Sequence, residues 1–189
     1  MQLIASPDVG KPVTRQHGFT LMELMVTVAV IAIVAGIGVP AMNSMIAHNR
    51  LTSSANELVA AFQFARSEAI TRRQTVVVCA SDNGAACVGA GTRWMVAAQA
   101  ANGSLTPLRD YQMPSSVNVS ASPSVATANG QITFQPSGYA RIGNATDGAI
   151  SLCDGSLSGD NAMVVSISVA RIGSYRRNAT AGCQQPANV

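Results

Sequence analysis

Three patterns of apolar positions succeed one another along the chain. From Leu24 to Ala47 the sequence is dominated by apolar residues and contains no Asp, Glu, Lys or Arg. As a helix this run would extend about 36 Å, enough for a hydrocarbon core of ~30 Å with some tilt. From Arg50 to Arg73 the pattern becomes amphipathic. Leu51, Ala55, Leu58, Phe62, Ala65 and Ala69 recur at alternating four- and three-residue steps, one face of a helix. Glu68 and Arg72 add an i,i+4 ion pair in the favoured order. Beyond Arg73 the period is that of strands. These are expected at Thr75–Ala80, Thr92–Gln99, Leu105–Gln112, Val117–Ser120, Ile132–Phe134 and Ala149–Cys153. Met163–Arg171 reads as the strongest strand, with Ser174–Asn178 pairing back across Gly173, and the small, polar Ser122–Gly130 as a mobile loop.

The long apolar run carries its own interruptions. Pro40 has no N–H to give the carbonyl of Gly36, and Gly36 and Gly38 lower helix propensity further, so the helix can locally melt there or carry a tolerated kink. One acid, Glu23, sits at its start, where a carboxylate at the edge of a membrane segment needs a partner. The preceding residues turn basic at Lys11, Arg15 and His17. A secretory signal places its apolar stretch before the cleavage site, whereas here the small residue Gly18 precedes it. Cleavage at Gly18 would leave the helix on the mature chain. The basic flank predicts a cytoplasmic leader and a C-terminal domain on the far side of the membrane.

Charge and cysteine content refine the picture. The formal charge of the chain is +3, with 11% charged residues. From Gln74 onward, however, Arg93, Arg109, Arg141, Arg171, Arg176 and Arg177 nearly balance Asp82, Asp110, Asp147, Asp154 and Asp160. A near-neutral domain with few aromatics argues against a nucleic-acid binder working through bulk charge and against a large aromatic-lined pocket. Four cysteines behind a membrane segment suggest an oxidising compartment. Of the three pairings, local spacing favours Cys79 with Cys87 and Cys153 with Cys183. Without a CxxC, and with both histidines (His17, His48) outside the C-terminal domain, a zinc site is disfavoured. Asp154 and Asp160 flank a Gly/Ser-rich stretch that lacks EF-hand spacing, so a solvated turn is the better reading. No nucleophile elbow, phosphate loop or catalytic set emerges, so neither an enzyme nor a cofactor is expected.

The run Gly18-Phe19-Thr20-Leu21-Met22-Glu23-Leu24, with Pro40 downstream, resembles the cleavage and methylation motif of type IV pilins and type II secretion pseudopilins. The resemblance implies cleavage between Gly18 and Phe19 by a prepilin peptidase and N-methylation of Phe19. It further implies that Glu23 offsets the N-terminal amine of a neighbouring subunit in the assembled bundle. Phe64-Ala65-Arg66-Ser67-Glu68-Ala69, and the strand at Phe134 running into the turn at Gly138, are similar to the FimT/GspH subgroup. That subgroup implies an α+β fold, in which the long N-terminal helix packs on an antiparallel β-sandwich. The expected organisation is a leader at 1–18, a helix at 19–73 (transmembrane at about 24–47, amphipathic at 50–73) and a β-domain at 74–189. Expected partners are other pilin-type subunits, the peptidase, the inner membrane and its assembly platform, with the β-domain periplasmic. Some FimT proteins bind DNA through a Gly-Arg-x-Arg motif. Here Ser174 stands at the first Arg position and only Arg176 matches. DNA binding through Arg171, Arg176 and Arg177 is therefore the alternative, ranked behind an exposed hairpin. The choice between pilus and secretion pseudopilus stays open.

Overall fold

The computed structural model describes residues 18–91, 93–179 and 182–188. They fall into two compact units, one ending at Ala41 and one beginning at Met42. In the first, helix α1 (Leu21–Arg72) begins, and its backbone is helical through position 40. Residues 1–17 of the leader expected at 1–18, and the side chain of Pro40, lie outside the described residues.

In the second unit α1 becomes a core element. Leu51, Ala55, Leu58, Phe62, Ala65 and Ala69 are all buried, so the four-three spacing marks the face that packs. The helix stops at a Schellman turn. Arg73 takes the left-handed conformation (φ 52°), its N–H bonds to the Ile70 carbonyl, and the Gln74 N–H reaches back to Ala69. The chain thereby reverses into β1 (Thr75–Ser81).

β1 pairs antiparallel with β2 (Arg93–Gln99), and β2 with β3 (Leu105–Gln112). The β2–β3 register shifts between Val96 and Ala97, opposite Arg109 and Pro107. Pro107 is tolerated because β3 is an edge strand, where a missing N–H need not cost a ladder bond. After β4 (Asn118–Ala121) comes a short helix, α2 (Pro123–Thr127). β5 (Gln131–Phe134) returns to the free side of β1 and is followed by the two-residue β6 (Ala140–Arg141), giving the sheet order β3-β2-β1-β5-β6. β7 (Gly148–Cys153), β8 (Ala162–Ile167) and β9 (Ile172–Arg177) join β4 in a second antiparallel sheet, ordered β4-β7-β8-β9. Neither sheet closes into a barrel. One core unites them with α1: Phe62 and Leu58 from the helix, Val76, Val78 and Trp94 from the first sheet, and Ile150, Leu152, Val165 and Ile167 from the second.

Two expectations need correction. Ser122–Gly130 is not a loop throughout, because Pro123 starts α2 at a position where its missing N–H is harmless. Val125 then anchors α2 in the core, fully buried. Nor does one strand run from Met163 to Arg171 with its turn at Gly173. β8 ends at Ile167, the turn is Ser168–Arg171, and Gly173 lies inside β9 opposite Ser166. The cause is tertiary. The Val169 carbonyl accepts the Ala140 N–H at 2.9 Å, and the Ala170 carbonyl accepts Arg66 Nη1 at 2.8 Å. Those carbonyls are thereby held out of a ladder.

The cysteines pair as Cys79–Cys87 and Cys153–Cys183, with Cα separations of 5.5 and 5.4 Å. Alternation along the strands puts each bridge on the face of its sheet turned away from the main core. Cys79 packs there with Val77, Met95 and Ala97, and Cys153 with Ala162 and Ala179. The second bridge closes a separation of 30 residues and ties the tail across the second sheet. Chain-entropy bookkeeping makes a loop of that size worth about 3.5 kcal/mol. The double variant Cys153→Ser/Cys183→Ser is expected to lose about that much stability, measured by denaturant unfolding of the detergent-solubilised chain. A midpoint within error of wild type would show that the tail is held by its other contacts.

Candidate functional site

The candidate site is the start of α1. Thr20 caps it: the Glu23 N–H donates to Thr20 Oγ1 at 3.2 Å, and the Leu24 N–H donates to the Thr20 carbonyl at 3.2 Å. Thr20-Leu21-Met22-Glu23 therefore has the spacing of a capping box, with Glu23 where the helix dipole favours a negative charge. That local role was readable as Thr-x-x-Glu before an apolar run, yet the motif resemblance alone does not bring it out. Phe19 lies outside the helix, 83% exposed. A Cβ added to Gly18 would meet nothing within 4 Å among the described residues.

The apolar side chains that follow have no cover. Leu24, Met25, Val28, Ile31, Val34 and Ile37 are exposed, and the most apolar stretch of α1, with a mean hydropathy of 2.5, has none of its residues buried. Burying one such side chain is worth roughly 1.5–3 kcal/mol. An uncovered row of them requires lipid or the matching faces of other helices. Thr27 does not break the row, since its hydroxyl is satisfied by the Leu24 carbonyl at 2.8 Å.

The remaining sequence candidates separate. Arg171 lies in the β8–β9 turn, while Arg176 and Arg177 lie at the far end of β9. Opposite Met163 and Ala162 respectively, Arg176 and Arg177 point to opposite faces of the sheet. Arg177 also donates to Gln184 Oε1 at 2.7 Å. The arginines do not form one cationic surface, and the alternative of DNA binding through them receives no support. Asp154 Oδ1 accepts from the Ser156 N–H and hydroxyl, an Asx turn that occupies the carboxylate locally. No cluster of metal-ligating side chains occurs among the described residues.

The family model described as type II transport protein GspH matches residues 54–173, and the prokaryotic N-terminal methylation motif matches residues 13–39. The chain belongs to the GspH family of minor pilins and pseudopilins. The fold agrees with that of a solved minor pilin. The type IV minor pilin FimU of Pseudomonas aeruginosa is similar in two crystal forms, both with a TM-score of 0.50. Identities are 26% and 27%, covering 67% and 66% of this chain and 88% and 92% of the other. The minor pseudopilin EpsH of Vibrio cholerae is 12% identical with a TM-score of 0.49, covering 67% of this chain and 97% of that one. No curated protein matches the sequence. The family is one of structural subunits, and membership implies assembly with other pilin-type chains.

Proposed function

We propose that the chain is a minor pilin made as a membrane precursor. The leader at 1–18 is removed after Gly18, Phe19 is N-methylated, and the mature helix enters a type IV pilus. The uncovered apolar half of α1 directly behind a cleavage motif carries this reading, and the 26% identity to FimU favours a pilus over a secretion pseudopilus. The first half of α1 holds the precursor in the inner membrane with the β-domain (74–189) periplasmic, where Cys79–Cys87 and Cys153–Cys183 can oxidise. In the filament the same apolar surface packs on neighbouring helices. There Glu23 sets the register by facing a neighbour's N-terminal amine, and the backbone loosens near Pro40. Mass spectrometry of the protein from producing cells is expected to find N-methylated Phe19 as the first residue. An N-terminus at Met1 or Gln2, with Phe19 internal, refutes the processing. Co-purification with sheared pili, rather than dependence of protein secretion on the chain, is the outcome expected for the pilus assignment.

A further inference from the structure

An exposed apolar patch lies far in sequence from the processing motif, at the C-terminal end of α1. Ile70 of the helix is 51% exposed, Tyr139 of the β5–β6 turn 52% and Val169 of the β8–β9 turn 36%. These elements touch one another. Gly138 sits so close to the helix that an added Cβ would lie 2.9 Å from Ile70 Cδ1, and the Ala140 N–H bonds to the Val169 carbonyl. At φ 81° Gly138 is in the conformation that glycine supplies, and the turn places Tyr139 beside the helix.

Arginines accompany these apolar side chains. Arg66 and Ile70 lie one turn apart on one side of α1. The Arg66 guanidinium lies over the Phe134 ring at 5.6 Å and gives Nη1 to the Ala170 carbonyl. Its Nε and Nη2 are buried with no hydrogen-bond partner among the described residues. Arg141 and Arg171 are exposed, each two residues along the chain from Tyr139 and Val169 respectively. The described ion pairs are Arg72–Glu68 and Arg93–Asp110, so neither Arg141 nor Arg171 has a carboxylate partner among the described residues.

We propose that this surface docks a neighbouring pilin-type subunit that presents an acidic side chain beside an apolar one. The inference rests on the pilin reading above and adds to it the surface and the chemistry of the partner. An apolar centre of Ile, Tyr and Val accompanied by arginine has the anatomy of a protein interface, in which Tyr and Arg are enriched at the energetic centre. A nucleic-acid site would instead put its cations where phosphates lie. Charge complementarity then requires carboxylates on the occupant.

The test uses the full chain in producing cells, with p-benzoylphenylalanine placed at Tyr139, at Val28 in the apolar helix, and at exposed Asn102 in the β2–β3 turn as the control. The position 139 probe is expected to cross-link a pilin-type subunit through a peptide containing Asp or Glu, and the position 102 probe is not. The pair Arg141→Glu/Arg171→Glu should cut that yield by about fivefold, the effect of two half-exposed ion pairs. Lysine at the cross-linked acid should restore it, and the position 28 cross-link should persist throughout. Cross-linking at 28 but not at 139, an adduct at 139 only to nucleic acid, or a yield indifferent to charge reversal overturns the docking surface and leaves the pilin reading standing. Silence at both 28 and 139 overturns both.

Discussion

Glu23→Ala is expected to be cleaved and methylated normally yet to fall in sheared filaments by roughly two orders of magnitude. The size follows from what the proposed assembly sets opposite the carboxylate. In a bundle of apolar helices, a neighbour's N-terminal amine left without its partner costs about 3 kcal/mol, and each 1.4 kcal/mol is tenfold in equilibrium. The geometry of α1 supplies a competing, local explanation, because Glu23 also stands at the third position of the box capped by Thr20. A capping box is worth only about 1 kcal/mol, and glutamine can fill it as well as glutamate. Glu23→Gln therefore separates the two roles. If the charge sets register, the glutamine variant assembles as poorly as alanine. If Glu23 serves only the helix start, glutamine assembles like wild type. The measurement is the ratio of sheared to cellular protein by immunoblot, with mass spectrometry confirming Phe19 as the first residue in every variant. Wild-type incorporation of Glu23→Ala would sink the register role.

The helix was legible because its signal is local. A four-three repeat from Leu51 to Ala69 names the buried face whatever packs on it, and each of those residues is buried. β1, β2 and β3 were legible for a similar reason: each follows turn residues and begins within a residue of its pattern. What escaped depends on contacts between distant positions. The end of β8 is decided by Arg66, 104 positions away, taking the Ala170 carbonyl, and no strand pattern contains that information. The two-residue β6 exists because Thr133 and Phe134 offer a register to Arg141 and Ala140. α2 could have been read from Ser122-Pro123, but with Val125 as its single large apolar residue it looked like a loop. At the candidate site the motif Gly18-Phe19…Glu23 was readable, whereas the arginines of Arg171–Arg177 looked like one cluster only in one dimension. A turn and the alternation of a strand pull them apart.

Phe62→Ala is expected to be the most damaging single substitution in the β-domain core. Phe62 is where α1 meets the first sheet. It is fully buried, its ring edge-on to Trp94 at 6.4 Å and 72°, and 6.3 Å from Phe134. Removing the ring forfeits its transfer free energy, leaves a cavity the surrounding strands cannot fully close, and breaks both aromatic contacts. Phe→Ala changes in such places cost about 3–5 kcal/mol. For a chain of this size that lowers Tm by about 10 °C, measured by circular dichroism on the detergent-solubilised protein. Phe62→Leu keeps most of the volume and should lose less than half as much. Because Trp94 also has a buried indole N–H without a partner among the described residues, that part of the core is held by shape rather than hydrogen bonds. Its stability should therefore track side-chain volume at position 62. A Phe62→Ala protein melting within 2–3 °C of wild type, less than 1 kcal/mol, would show that the helix is seated on the sheets by Leu51, Leu58 and the buried alanines of the same face.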